Sequence, residues 1–378
     1  METQEGGKKR RQRIREKVAL IKLVNQGAYG CIYRPGFKCN GRPDASDKFV
    51  SKIQKKSSTS DNELEIGQKV AVIPNYQLHF APVIQTCPIN IANIQPKLVE
   101  SCDVIQKHHG KNIDFMLNKI RYAGTDTLEH YIESQQKSRR FLAKFFELHQ
   151  YLLLSIDLLA DANIVHYDLK ENNIMYNPSE KAPIIIDFGL SVDITSLLNA
   201  KVDDTNIVDK YQDAFYVYYG NYPPWCLEII LCSFIVQQHK IKDESKTETR
   251  WLTAKADANK LLYVVDDFFN TNNCMQLISK IAPDKFGVAK ANWRQYIREL
   301  CVRKTEKQVV DTLIQSWKSW DNYGLSVIFL FLCNTYQVTE LTKNTNYQDM
   351  LINTILCLPT DRYTALQTNR QLPGIIKG

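Results

Sequence analysis

From Val18 to about Arg121 short apolar or β-branched runs alternate with Gly, Pro and Asn breaks. Ala19–Val24, Cys31–Arg34, Phe49–Ile53 and Phe115–Arg121 each read as a strand. The exception is Asp61–Ile73, where Glu63, Ile66, Val70 and Ile73 fall on one face at helical spacing and Asp61 is placed to cap the N-terminus. From Leu128 onward helical spacing prevails. Phe141–Ala160 is a long amphipathic run, and Pro183–Asp187 (PIIID) reads as a short buried strand. The longest apolar run, Leu325–Cys333, falls well short of the ~20 residues that cross a bilayer and predicts a buried helix. Neither an internal repeat nor a low-complexity tract is visible. A strand-rich part with one helix, followed by a helical part, predicts an α+β protein of two unlike lobes with a cleft between them.

Composition narrows this only modestly. With 44% hydrophobic and 24% charged residues in 378, the chain is neither a disordered polyampholyte nor an acidic solvating protein. A formal charge of +7 does not establish direct nucleic-acid binding. The excess is local. Residues 1–17 carry seven Lys/Arg against three Glu, net +4; segment 229–320 carries 15 Lys/Arg against 10 Asp/Glu, net +5; the rest sums to −2. The basic tail reads either as a solvated arm or as a nuclear-import or phosphate-contacting patch. No apolar segment follows it, so it is not a secretory signal. None of the ten cysteines forms a CxxC pair, so no zinc site is expected; in a chain this long without a signal peptide no disulfide framework is expected either, and the reduced interior of a cell is the default compartment.

The chemistry concentrates in Ile164–Ile174, IVHYDLKENNI, which reads His-x-Asp-Leu-Lys-x-x-Asn. Asp187-Phe188-Gly189 begins fourteen residues after Asn173, directly behind the apolar PIII. In this order and separation the two pieces resemble the catalytic loop and metal-binding segment of eukaryotic-type Ser/Thr protein kinases; the compact N-lobe, the short Lys52-to-Glu63 spacing and the Tyr222-Pro223-Pro224-Trp225 segment look most like the divergent kinases of large DNA viruses. The resemblance implies a bilobal kinase-like fold and transfer of the ATP γ-phosphate to Ser/Thr hydroxyls of a protein. Asp168 would meet the attacking hydroxyl, and Lys170 would put positive charge near the phosphate. Asn173 and Asp187 would offer hard oxygens to Mg²⁺ or Mn²⁺.

It implies further parts in the strand-rich region. Asn25-Gln26-Gly27-Ala28-Tyr29-Gly30-Cys31-Ile32 resembles the family's phosphate-covering GxGxxGxV loop, with Asn25 in place of the first Gly. Lys52, in Phe49-Val50-Ser51-Lys52, matches the phosphate-contacting Lys better than Lys55 or Lys56, because it alternates with Val50 inside the apolar run. Glu63 fits its expected helical partner better than Glu65. Farther on, Asp321-Asn322-Tyr323-Gly324-Leu325-Ser326 resembles the family's DxWSxG motif, whose Asp braces the catalytic loop. Arg362 resembles a late Arg whose usual partner is a Glu, here Glu228 in a shifted register.

Three departures stand out. Tyr167 replaces an Arg that receives an activation-loop phosphate, which implies activity without that phosphorylation. Tyr222-Pro223-Pro224-Trp225 replaces the familiar end of the activation segment. Segment 229–320 is far longer than usual and implies an inserted helical subdomain, or an elaborated C-lobe. The matching region is roughly 18–370, with an N-lobe over 18–121 and a C-lobe over 122–378. The charge distribution suggests an acidic or nucleic-acid-associated protein substrate. The implied locations are a host cytoplasm or a virion, with the nucleus left open by the tail. Two other readings remain: a pseudokinase scaffold, and a small-molecule phosphotransferase of the aminoglycoside or choline kinase type.

Overall fold

A computed structural model describes residues 20–27, 30–44, 46–108, 113–199, 207–238 and 252–377. The basic tail, Ala28, Tyr29 and most of the polar patch Gln237–Lys255 lie outside the described residues. The class is α+β, strand-rich toward the N-terminus and mostly helical beyond. The chain divides into two compact units, residues 1–56 with 85–122, and residues 57–84 with 123–378.

The first unit is organised by a sheet whose strands run in the order Lys22–Gln26, Gly30–Arg34, Phe49–Lys55, Phe115–Arg121, Val83–Ile89. Lys52 stands between Ile32 and Asn118 in the ladders. One face packs Tyr33, Ile53, Phe115 and Leu117 against Ile94, Val99 and Ile105 from the connection that follows Ile89.

Two disulfides, Cys31–Cys102 and Cys39–Cys87, cross-link this unit and correct the expectation of an all-thiol chain. Their partners lie 71 and 48 residues apart, so no local spacing reveals them. Loop-closure entropy assigns about 4 kcal/mol to each bond. A thiol reductant, or Cys31→Ser, should therefore lower the urea midpoint clearly; an unmoved midpoint would rule out a stabilising role.

The second unit begins with helix Ser58–Ala71. Its N-cap is Ser57, which forms a capping box with Ser60, so the expected cap Asp61 falls instead in the first turn. Ile66, Val70 and Ile73 join the large core with Phe80 and Phe145, which is why residues 57–84 group with the helical unit although the sequence sets them among strands. The packing is close: a Cβ on Gly67 would lie 2.3 Å from the Val83 carbonyl oxygen.

Around helix Phe141–Asp161 and the almost wholly buried helix Trp320–Thr335 the core is continuous. It includes Val265 and Phe269 of helix Ala258–Thr271, Trp293 and Ile297 of helix Pro283–Leu300, and Val310 of helix Glu306–Ile314. The helices of segment 229–320 thus share the main core of this unit. Among the described residues no helix is long and apolar enough to cross a membrane.

His149, wholly buried on Phe141–Asp161, stacks on Phe329 with ring centroids 4.2 Å apart and hydrogen-bonds the Tyr347 hydroxyl through Nδ1 at 2.9 Å. Burial drives its pKa down to about 3 from an ordinary 6.5. The folded state binds this proton more weakly than the unfolded chain does. Stability is therefore full above about pH 6.5 and is lost as pH falls toward about 3, at ~1.4 kcal/mol per pH unit. His149→Phe should flatten that part of the acid-unfolding curve; an unchanged slope between about pH 6 and about pH 4 would contradict this.

Candidate active site

The His166–Asn173 loop leaves the short strand Ile164–Val165, passes through a 3₁₀ turn at Glu171–Asn173 and enters strand Ile174–Asn177. That strand pairs antiparallel with Ala182–Ile186, which delivers Asp187. Two strands of one ribbon therefore carry the two polar motifs.

The loop is braced from beneath. Asp321, at the start of helix Trp320–Thr335, accepts the backbone N–H of His166 at 2.7 Å and of Tyr167 at 3.1 Å. Burial raises the Asp321 carboxyl, opposed by His166 and by these two donors. Tyr167 holds φ 68°, the left-handed region that an aromatic residue rarely adopts. The surroundings secure it: Trp225 Nε1 donates to its carbonyl at 2.9 Å, and the two rings lie 5.2 Å apart. Tyr167 thus fills the place of the expected Arg as a buried packing residue, 3% exposed.

Asp168, also buried, gathers three side chains. Lys170 Nζ donates to both carboxylate oxygens, at 3.1 and 2.9 Å. Asn173 Nδ2 donates to Oδ2 at 2.9 Å and to the Asp168 carbonyl at 2.8 Å. The Tyr222 hydroxyl donates to Oδ1 and accepts from Lys170 at 3.1 Å. Burial opposes the Lys170 charge, but the adjacent carboxylate outweighs it and holds the ammonium above its ordinary range. Burial, then the charge of Asp168, pushes the Tyr222 phenol up to about 12.

Asp187 also holds a left-handed backbone, φ 64°. Phe188 packs edge-on against His166 and Phe80. Asn62 of helix Ser58–Ala71 donates to the carbonyls of Gly189 at 3.2 Å and Ser191 at 3.0 Å, while Lys69 pairs with Asp193 at 2.7 Å. Glu63, from the same helix, is 2% exposed. Asn62, Lys69 and Tyr222 are contributions that motif reading missed. Tyr222 stands out in the sequence only as part of a departure, and no spacing connects it with Asp168.

In the first unit Asn25 lies just past the bulge in strand Lys22–Gln26 and accepts the Gln26 N–H through Oδ1 at 2.8 Å. Gly27 N–H donates to the Gly30 carbonyl at 2.9 Å. Gly30 is required by its neighbour strand as well, since a Cβ there would lie 2.4 Å from the Ile53 carbonyl oxygen. Gln26 anchors the hairpin to Asp103, donating through Nε2 at 2.5 Å and accepting the Asp103 N–H at 3.0 Å. Ile32 and Lys52 form a cross-strand pair. Among the described residues no group of three or more His, Cys, Asp or Glu side chains could hold a metal.

No family model matches the chain. No curated protein matches it. Among solved structures it is similar to the Cydia pomonella granulovirus kinase PK-1, at 19% identity and a TM-score of 0.30, over 46% of this chain and 54% of that one. The likeness therefore spans about half the length of that kinase.

Proposed function

We propose that this protein is an ATP-dependent protein kinase acting on Ser/Thr hydroxyls. The supporting observation is the convergence of Lys170, Asn173 and Tyr222 on a buried Asp168 in a loop braced by Asp321. A carboxylate so held is suited to orient a hydroxyl and accept its proton.

Asn173 and Asp187 would hold Mg²⁺. The chemistry of the donors fits: the Asn173 amide nitrogen is committed to Asp168, which leaves its carbonyl oxygen as the acceptor. Mg²⁺ takes one or two protein oxygens and fills its other positions with phosphate and water, so no larger acidic cluster is needed. When bound, it supplies charge neutralisation on the phosphate oxygens. Lys52 is assigned the phosphate contact, Glu63 its alignment, and the segment Asn25, Gly27, Ala28, Tyr29, Gly30 and Ile32 the cover over the nucleotide.

In the transfer, the acceptor oxygen attacks the γ-phosphorus and the bond from that phosphorus to the bridging oxygen breaks. ADP leaves with the bond's electron pair, and the hydroxyl proton passes to Asp168. Lys170 balances charge beside the developing bond.

The test is Mg²⁺-dependent transfer of labelled γ-phosphate from ATP to casein or a basic protein, beside Lys52→Met. Label appearing on protein Ser/Thr above that control is expected. ATP binding without transfer would favour the scaffold reading, and label on a small amine or alcohol alone would favour the metabolite kinases.

A further inference from the structure

We infer that Tyr222 is a positioning residue for this transfer, setting which lone pair of Asp168 the acceptor hydroxyl meets; the inference rests on the kinase reading above. An ionised carboxylate offers about four acceptor positions. Here Oδ1 is taken by Lys170 and Tyr222, and Oδ2 by Lys170 and Asn173. An incoming hydroxyl can donate to Asp168 only where one donor yields.

Lys170 is the donor that can yield at least cost. It reaches both oxygens, and giving up the longer contact, 3.1 Å to Oδ1, leaves it on Oδ2 at 2.9 Å. Asn173 is tied twice to residue 168. Tyr222 is held by its surroundings: its ring meets Trp225 edge-on at 5.2 Å, and Trp225 is fastened to the Tyr167 carbonyl of the braced loop. The acceptor hydroxyl is therefore directed to Oδ1, beside the Tyr222 hydroxyl. That hydroxyl also steadies Lys170 at 3.1 Å while the ammonium shifts.

Tyr222→Phe keeps the ring and removes only the hydroxyl. Steady-state transfer should show kcat reduced about tenfold, the worth of one such hydrogen bond, with KM for ATP unchanged. Loss of a purely structural contact would instead lower the melting temperature and leave kcat of the folded fraction intact, which overturns the inference. So does an unchanged kcat. A raised kcat overturns it in favour of a hydroxyl that plugs the acceptor position. Wild-type protein that transfers no more than Asp168→Asn defeats the kinase reading and this inference with it. Active wild type matched by Tyr222→Phe defeats this inference alone.

Discussion

Asp168→Asn should reduce phosphoryl transfer by about 10²–10⁴-fold, the usual worth of a general base. The loss has two origins. Asparagine cannot accept the proton at the same free energy. It also replaces an acceptor oxygen by an NH₂ group in a place where Lys170, Asn173 and Tyr222 all point donors. The second effect should cost stability as well, about 1–3 kcal/mol for a buried donor left without an acceptor. Single-turnover rates with saturating ATP, beside a urea titration of the same sample, separate the two. A loss of transfer below about tenfold would remove Asp168 from the proton-accepting role.

Breaking the Glu228–Arg362 pair should be strongly destabilising. Arg362 forks onto both Glu228 oxygens and also donates to the Thr354 carbonyl at 3.0 Å and the Cys357 carbonyl at 3.3 Å. The two side chains are 1% and 0% exposed. Arg362→Met leaves a buried carboxylate with Ser316 Oγ, 3.2 Å away, and the Cys226 thiol as remaining donors. Removing one member of such a pair costs about 3–5 kcal/mol, whereas replacing both by apolar residues is often nearly neutral. Equilibrium urea unfolding should show the large loss in Arg362→Met and recovery of most of it in Glu228→Leu/Arg362→Met. A double variant no better than the single would mean that packing of the guanidinium, and not charge burial, dominates.

Much of the candidate site was legible because it is local. His166–Asn173 and Asp187–Gly189 each lie on one short loop, and the proposed phosphate chemistry would account for their residue types. Strand Phe115–Arg121 falls on its expected bounds, and helix Phe141–Asp161 extends the expected run by one residue, since both have unbroken periodicity. The Asp321 brace and the Glu228–Arg362 partnership also agree with the residues that suggested them.

What the chain alone determined, then, is the α+β division and the residues of the candidate loop, because 2- and 3.6-residue periodicity and motif spacing act over a few turns of backbone. Tertiary structure decided everything that depends on partners far apart in sequence. It placed residues 57–84 with the helical unit through Ile66, Val70 and Ile73. It paired Cys31 with Cys102 and Cys39 with Cys87 across 71 and 48 residues. It carried Tyr222 onto Asp168 from 54 residues away. Each rests on long-range packing, where the free energy comes from burial shared among many side chains and leaves no periodic trace at either end.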